Sequence, residues 1–279
     1  MDARLRNLLN QMLQDRTWRD PDQLGRRIDM QEQLERALFH AGDSLEPSLR
    51  QRGEGLMIEL EVIDRRLYHA IRADIRRGQG AGRLLHWAAA MPRNGDEEGY
   101  DPLDALLSGV LDLAEPGNVP ELDAEMVFYQ PTPARHIFDL LARVPMGDQD
   151  VVIDLGAGLG HVTLLTAICT RARCVGIELQ AAYVTSARQC AQALNLRNAS
   201  FIAQDVRHAC LAEGTVFYLY TPFTGTILRT VLDMLKREAE DRPIRLCTLG
   251  PCTEVLARES WLTMDNISER GSVTLFRSR

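Results

Sequence analysis

Apolar residues recur along this chain at two different periods, and the change falls near Met126. Upstream, Leu5, Leu8, Leu9 and Met12 form one stripe at helical spacing, and Leu24, Ile28, Leu34 and Leu38 suggest a second. The longest stripe runs through Leu56, Leu60, Ile63, Leu67, Ile71 and Ile75 and predicts one long amphipathic helix. Its polar positions interleave Arg65, Arg66, Arg72, Arg76 and Arg77 with Glu59, Glu61, Asp64 and Asp74, the pattern of a solvated face more than of a nucleic-acid surface. Pro92–Gly99 reads as a hinge, Pro102–Leu113 as a short helix, and Pro116–Pro120 as a further break. The expected division is a helical domain over 1–95, an acidic linker with a short helix over 96–125, and a second domain over 126–279.

Downstream of Met126, short apolar runs alternate with helical stretches. A helix is expected over Ala134–Arg143. An apolar run from Val151 then ends in Asp154, breaks into Gly156, Gly158 and Gly160, and gives way to a helix from His161 to about Thr170. Strand Cys174–Glu178, helix Ala181–Leu194 and strand Ser200–Asp205 follow. Next come strand Thr215–Tyr220, helix Thr226–Arg237 and strand Ile244–Leu249. Such alternation defines an α/β chain with a parallel sheet. Trp261–Ile267 and Ser272–Phe276, separated by Ser-Glu-Arg-Gly, predict a closing antiparallel hairpin.

The glycine run carries the chemistry. Alternate glycines between a strand and a helix let the backbone approach a ligand, at a helix N-terminus whose unpaired N–H groups attract an anionic group. A dinucleotide loop needs G-x-G-x-x-G; here the third glycine comes one residue early and His161 takes its place. The pattern D-x-G-x-G-x-G, with its acid at Asp154, resembles the first motif of class I S-adenosylmethionine (SAM)-dependent methyltransferases. That resemblance implies a Rossmann-like, seven-stranded α/β sheet with an antiparallel last strand, here preceded by an all-helical domain. It implies S-adenosyl-L-methionine as the cofactor, held by a loop of Asp154, Gly156, Ala157, Gly158 and Gly160. It also implies that Glu178, an acid at the end of the second strand, accepts from both ribose hydroxyls. Asp205 would meet the adenine amino group, with Leu179 and Val206 packed on the ring. The segment before the first strand would reach the methionine end through Tyr129, Gln130 and Thr132, although Thr-Pro at 132–133 is also an ordinary helix start.

The loop after the fourth strand, Tyr220-Thr221-Pro222-Phe223, is expected beside the donor methyl. Adenine amino-methyltransferases carry an Asn/Asp-Pro-Pro-aromatic loop there; this chain keeps Pro-Phe and has no Asn or Asp. The stretch from Phe128 to Phe223, about a third of the chain, is similar to the non-SET histone-lysine methyltransferase branch. Tyr220 either orients an acceptor or finishes an aromatic strand. His161 either serves the reaction, touches the methionine carboxylate or caps the turn. These two are the catalytic candidates.

Composition narrows the partners. The chain has 279 residues, 45% hydrophobic and 25% charged, enough for one or two packed domains. It has no apolar run near membrane-spanning length, and its N-terminus is charged from Asp2 onward. The six cysteines all follow Met126 and include no C-x-x-C pair, so a reduced, cytoplasmic protein without a metal site is expected. Residues 96–149 hold 2 basic and 12 acidic groups, a charge that repels a phosphate backbone and favours a neutral or cationic acceptor. The reading is a methyltransferase acting on a protein, peptide or small molecule, with nitrogen favoured. A noncatalytic SAM-binding scaffold and a nucleic-acid base methyltransferase are the alternatives.

Overall fold

Seven strands form one sheet: β1 (Val151–Leu155), β2 (Arg173–Glu178), β3 (Ala199–Ala203), β4 (Val216–Leu219), β5 (Arg245–Thr248), β6 (Leu262–Met264) and β7 (Thr274–Ser278). The structure is a computed structural model that describes residues 2–42, 45–91, 101–117, 120, 124–265 and 272–279. The strand order is β3-β2-β1-β4-β5-β7-β6. The first five strands run parallel, while β7 runs antiparallel to both β5 and β6. This closing pair is the hairpin expected from the sequence; its Ser-Glu-Arg-Gly connection lies outside the described residues, as does the hinge at 92–99. Order reverses between β1 and β4, and there the carboxyl ends of the strands part into a crevice.

Alternation along β1 sorts its side chains to two cores. Val152 joins one apolar cluster and Ile153 the other. On the Ile153 face pack α9 (Gly225–Asp241), through Ile227, Leu228, Val231, Leu232 and Leu235, and the short α10 (Cys252–Leu256). On the Val152 face lie α6 (Ala134–Arg143), α7 (His161–Cys169) and α8 (Ala181–Ala193).

The upstream helices are α1 (Asp2–Gln14), α2 (Leu24–Ala41), α3 (Pro47–Arg76), α4 (Gly80–Ala90) and α5 (Pro102–Leu111). The second half of α3 with α4 and α5 shares the Val152-side core, where Leu67, Ile71, Ile75, Leu84 and Trp87 belong to the same cluster as Leu164 of α7. Helix α1, most of α2 and the first half of α3 close a core of their own around Leu9, Trp18, Leu34 and Leu60. The helix α4 was not read from the sequence, because glycines at 78, 80 and 82 hide the stripe of Leu84, Trp87 and Met91. Helix α5 starts where Asp101 caps the Leu103 N–H and Asp104 accepts from the Asp101 N–H, a reciprocal capping box with Pro102 at the first turn.

Two residues assigned to the solvated face of α3 are buried. Asp64 is held by the fully buried Arg27 at 2.5 Å and by Gln31 at 3.2 Å, while Arg27 also donates to the carbonyls of Trp18, Asp20 and Pro21. Arg72 donates to the Val110 and Leu111 carbonyls, the last turn of α5. A charged residue on a helical polar face is solvated only until another helix covers it, and α2 and α5 do so here.

Candidate active site

A cleft of about 650 Å³ opens at the carboxyl ends of β1, β2 and β4. Its floor is the glycine loop. Gly156 and Gly158 have φ of +83° and +53°, where a side chain is strained. A Cβ on Gly156 would strike Pro222, and one on Gly158 would strike the Tyr129 ring. The loop is held from beneath by the Ile177 carbonyl, which accepts from the N–H groups of Gly156 (2.9 Å) and Ala157 (3.0 Å). Gly160 ends the loop as the N-cap of α7.

Glu178 ends β2 in this cleft. Its Oε2 accepts the Gly158 N–H at 2.8 Å and its Oε1 the Gln180 N–H at 2.8 Å. The carboxylate thereby locks the loop while it lines the cleft, with acceptor capacity left on both oxygens. Asp154, central in the sheet opposite Gly176 and Tyr218, is buried and accepts from Thr163 Oγ1 at 3.0 Å. Burial, with Glu178 adding repulsion, pushes its carboxyl up to about 7.

Asp205 lies two residues past β3, capping a 3₁₀ turn over Val206–His208. Its carboxylate accepts from the Arg207 backbone and guanidinium, which hold it below the usual carboxylate range. Leu179 and Val206 line the same end of the cleft, Leu179 being 42% exposed.

At the other end, Tyr129 Oη hydrogen-bonds His161 Nδ1 at 3.0 Å. Burial lowers His161 to about 4, so its ring is neutral at ordinary pH. Thr132 is buried with its Oγ1 at 3.3 Å from Tyr218 Oη, while Gln130 is exposed at the rim. Tyr220 lines the cleft half-buried. Thr221, at φ +38°, turns its hydroxyl away from the cleft: it donates to the Leu249 carbonyl and accepts the Cys252 N–H, fixing α10.

Sequence reasoning missed several residues that line the cleft or support its walls. Tyr183, in the first turn of α8, packs its ring 5.0 Å from that of Tyr129 across the glycine loop. Tyr218 was read only as strand. Glu125 was counted as linker charge, yet its Oε2 accepts the Ile227 N–H at the start of α9 and its carbonyl accepts from Thr224. Next to it, Met126 bridges Phe223 and the Val127 N–H meets the Pro222 carbonyl, so residues 125–127 strap the loop after β4. Only the position of Tyr183 in a first helical turn after a strand-end acid offered a signal.

A second hollow, of about 630 Å³, adjoins the cleft and shares Pro131, Thr132 and His161 with it. Its far wall carries Asp29 and Glu32 of α2 and Asp101 and Asp104 at the start of α5. Helices α2 and α5 therefore wall this hollow, and no described residue of α1 to α5 lines the cleft itself.

Strand order, antiparallel closing strand and glycine loop with its strand-end acids together define a class I, Rossmann-like SAM-dependent methyltransferase domain. The residues fit this cofactor: the cleft has the small residues Gly156 and Ala157 at its base and the Glu178 carboxylate on its wall, an acceptor group suited to a vicinal diol. Residues 147–236 match the family model described as a methyltransferase domain. A trans-aconitate 2-methyltransferase from Azoarcus sp. (strain BH72) is 50% identical over 52 residues, 18% of this chain and 21% of that protein. The chain thus matches about a fifth of the length of that relative. An RNA methyltransferase from Salinibacter ruber, solved with S-adenosyl-L-homocysteine, is 23% identical, covers 53% of this chain and 92% of its own, and has a TM-score of 0.42. A precorrin-6y C5,15-methyltransferase from Geobacter metallireducens GS-15 is 15% identical, with coverage of 55% and 92% and a TM-score of 0.42. No described helix is long and apolar enough to cross a membrane.

Proposed function

We propose that the protein transfers the methyl group of SAM to a nitrogen nucleophile presented over Tyr220–Phe223. The observation that carries this reading is Glu178 joined to Gly158 at 2.8 Å, because it makes the glycine loop and the diol-binding carboxylate one unit. SAM supplies an electrophilic sulfonium methyl. Glu178 holds the ribose, Asp205, Leu179 and Val206 the adenine, and Tyr129, Gln130 and Thr132 the methionine end. The Tyr129–Tyr183 pair excludes water above the loop. Alignment of donor and acceptor supplies most of the rate, and it asks for a rigid floor more than for a strong base. His161, neutral and half-buried, orients Tyr129 and faces the methionine end; Tyr220 orients the acceptor. The domain division at residues 95 and 125, and a cytoplasmic location, are part of the same proposal.

An acceptor that bears carboxylates, as aconitate does, is not carried over from the partial relative. Among the described residues no Arg or Lys lines the cleft or the hollow. Titration calorimetry with SAM and with its demethylated product tests the reading. Micromolar binding of both is expected, and the absence of binding by either sinks it. Binding without methyl transfer to any acceptor would favour a noncatalytic scaffold.

A further inference from the structure

The acceptor side of the cleft has walls of one kind. Val127, Phe128, Pro222, Phe223 and Pro251 supply apolar surface, and Tyr220 adds an aromatic ring with one hydroxyl. Phe128 is 86% exposed and Val127 45% exposed, and both sit on the strap that pairs with the loop after β4. Large apolar side chains left open at the mouth of a cleft mark a surface that a ligand covers.

Charge points the same way. No described cation lines this cleft, so an acceptor carboxylate or phosphate would shed water without gaining a charged partner. The adjoining hollow presents four carboxylates, which makes the local field hostile to anions. A protonated alkylamine fits the field but must lose its proton before it can attack. The carboxylates of this cleft are already engaged, Asp154 by Thr163, Glu178 by the Gly158 and Gln180 N–H groups and Asp205 by Arg207, and His161, lowered to about 4 by burial, is a weak base.

We infer that the acceptor is a small, planar, uncharged heteroaromatic compound whose nitrogen is a free nucleophile at neutral pH. This rests on the methyltransferase reading above. The nitrogen lone pair forms the N–CH3 bond as the S–CH3 bond breaks, and that bond's electron pair stays on sulfur as the neutral thioether. The positive charge moves to the methylated nitrogen, which keeps it or releases a proton to solvent. Phe128 and Tyr220 flank the ring plane and set its approach.

The test uses the full chain, methyl-labelled SAM and an extract of the cells that make the protein, after calorimetry has established whether SAM binds. Once unreacted SAM, itself a cation, has been removed, label is expected in small ultraviolet-absorbing molecules that pass an anion exchanger at pH about 7. Label in anions held by the exchanger, in amines without aromatic absorbance, or in protein or nucleic acid, overturns the acceptor class and leaves the methyltransferase reading standing. SAM binding with no label in any fraction overturns that reading itself, as does the absence of SAM binding. Once an acceptor is in hand, Phe128→Ala should raise its KM about fivefold with SAM affinity unchanged; an unchanged KM refutes the role given to Phe128.

Discussion

Tyr129 and His161 hydrogen-bond at 3.0 Å, joining the segment before α6 to the first turn of α7. The bond turns two separate contacts into one device. Tyr129 roofs Gly158 and packs on Tyr183, and His161 fixes where that roof sits.

Removing either side of this bond should therefore cost the same thing. Tyr129→Phe keeps the ring and loses the hydroxyl. His161→Asn loses the ring partner. Each is expected to weaken SAM binding by about two- to tenfold, the worth of one hydrogen bond. The double variant should lose little more than either single one. Full additivity in calorimetry would show that the two residues act apart.

Glu178→Ala should weaken SAM binding by well over tenfold, since it removes a charged acceptor and releases the Gly158 N–H. Glu178→Gln keeps one acceptor oxygen, so its loss should be smaller. Equal affinity of Glu178→Ala and the parent protein would refute the ribose assignment.

Asp154 and His161 pull stability in opposite directions with pH. Burial raises Asp154 from 3.8 to about 7, so its contribution is complete below about pH 4 and is lost as pH climbs toward 7. Burial lowers His161 from 6.5 to about 4, so its contribution is present above about pH 6.5 and is lost as pH falls toward 4. The slopes oppose each other in the shared window. Asp154→Asn should leave stability that rises from about pH 4 to 6.5, and His161→Gln stability that falls toward pH 7. Urea midpoints across this range decide the matter; three parallel curves would rule out both roles.

The buried Arg27–Asp64 pair should dominate the stability of the helical part. Asp64→Ala leaves the Arg27 charge buried without its partner, which costs about 3–5 kcal/mol and lowers the Tm by on the order of 10 °C. Asp64→Asn, which keeps an acceptor, should lose less. Arg27→Met should cost at least as much as Asp64→Ala, because three carbonyls lose their donor with it. A thermal melt of Asp64→Ala that matches the parent would contradict this account.

The sheet could be read from the chain because its signals are local. Asp154, Glu178 and Asp205 each fall within two residues of a strand end, and the apolar runs before them have strand length. Arg27 and Asp64 lie 37 residues apart, and Tyr129 and His161 lie 32 apart, so neither pair leaves a trace in any short window. Asp64 and Arg72 looked solvated for the same reason: periodicity shows which face of a helix is polar, and not what later packs on it. On the acceptor side the loop after β4 was legible as a position, while its partner strand from Glu125 to Val127 was not, being about a hundred residues away.

That strap has a consequence for redesign. The acceptor wall is a two-piece part whose halves are joined by the Met126–Phe223 bridge and by the grip of Glu125 on the start of α9. Grafting the Tyr220–Phe223 loop from another enzyme would import only one half and leave it facing a mismatched mate. Exchange of acceptor preference calls for transplanting residues 125–128 together with residues 220–227, as a matched cassette.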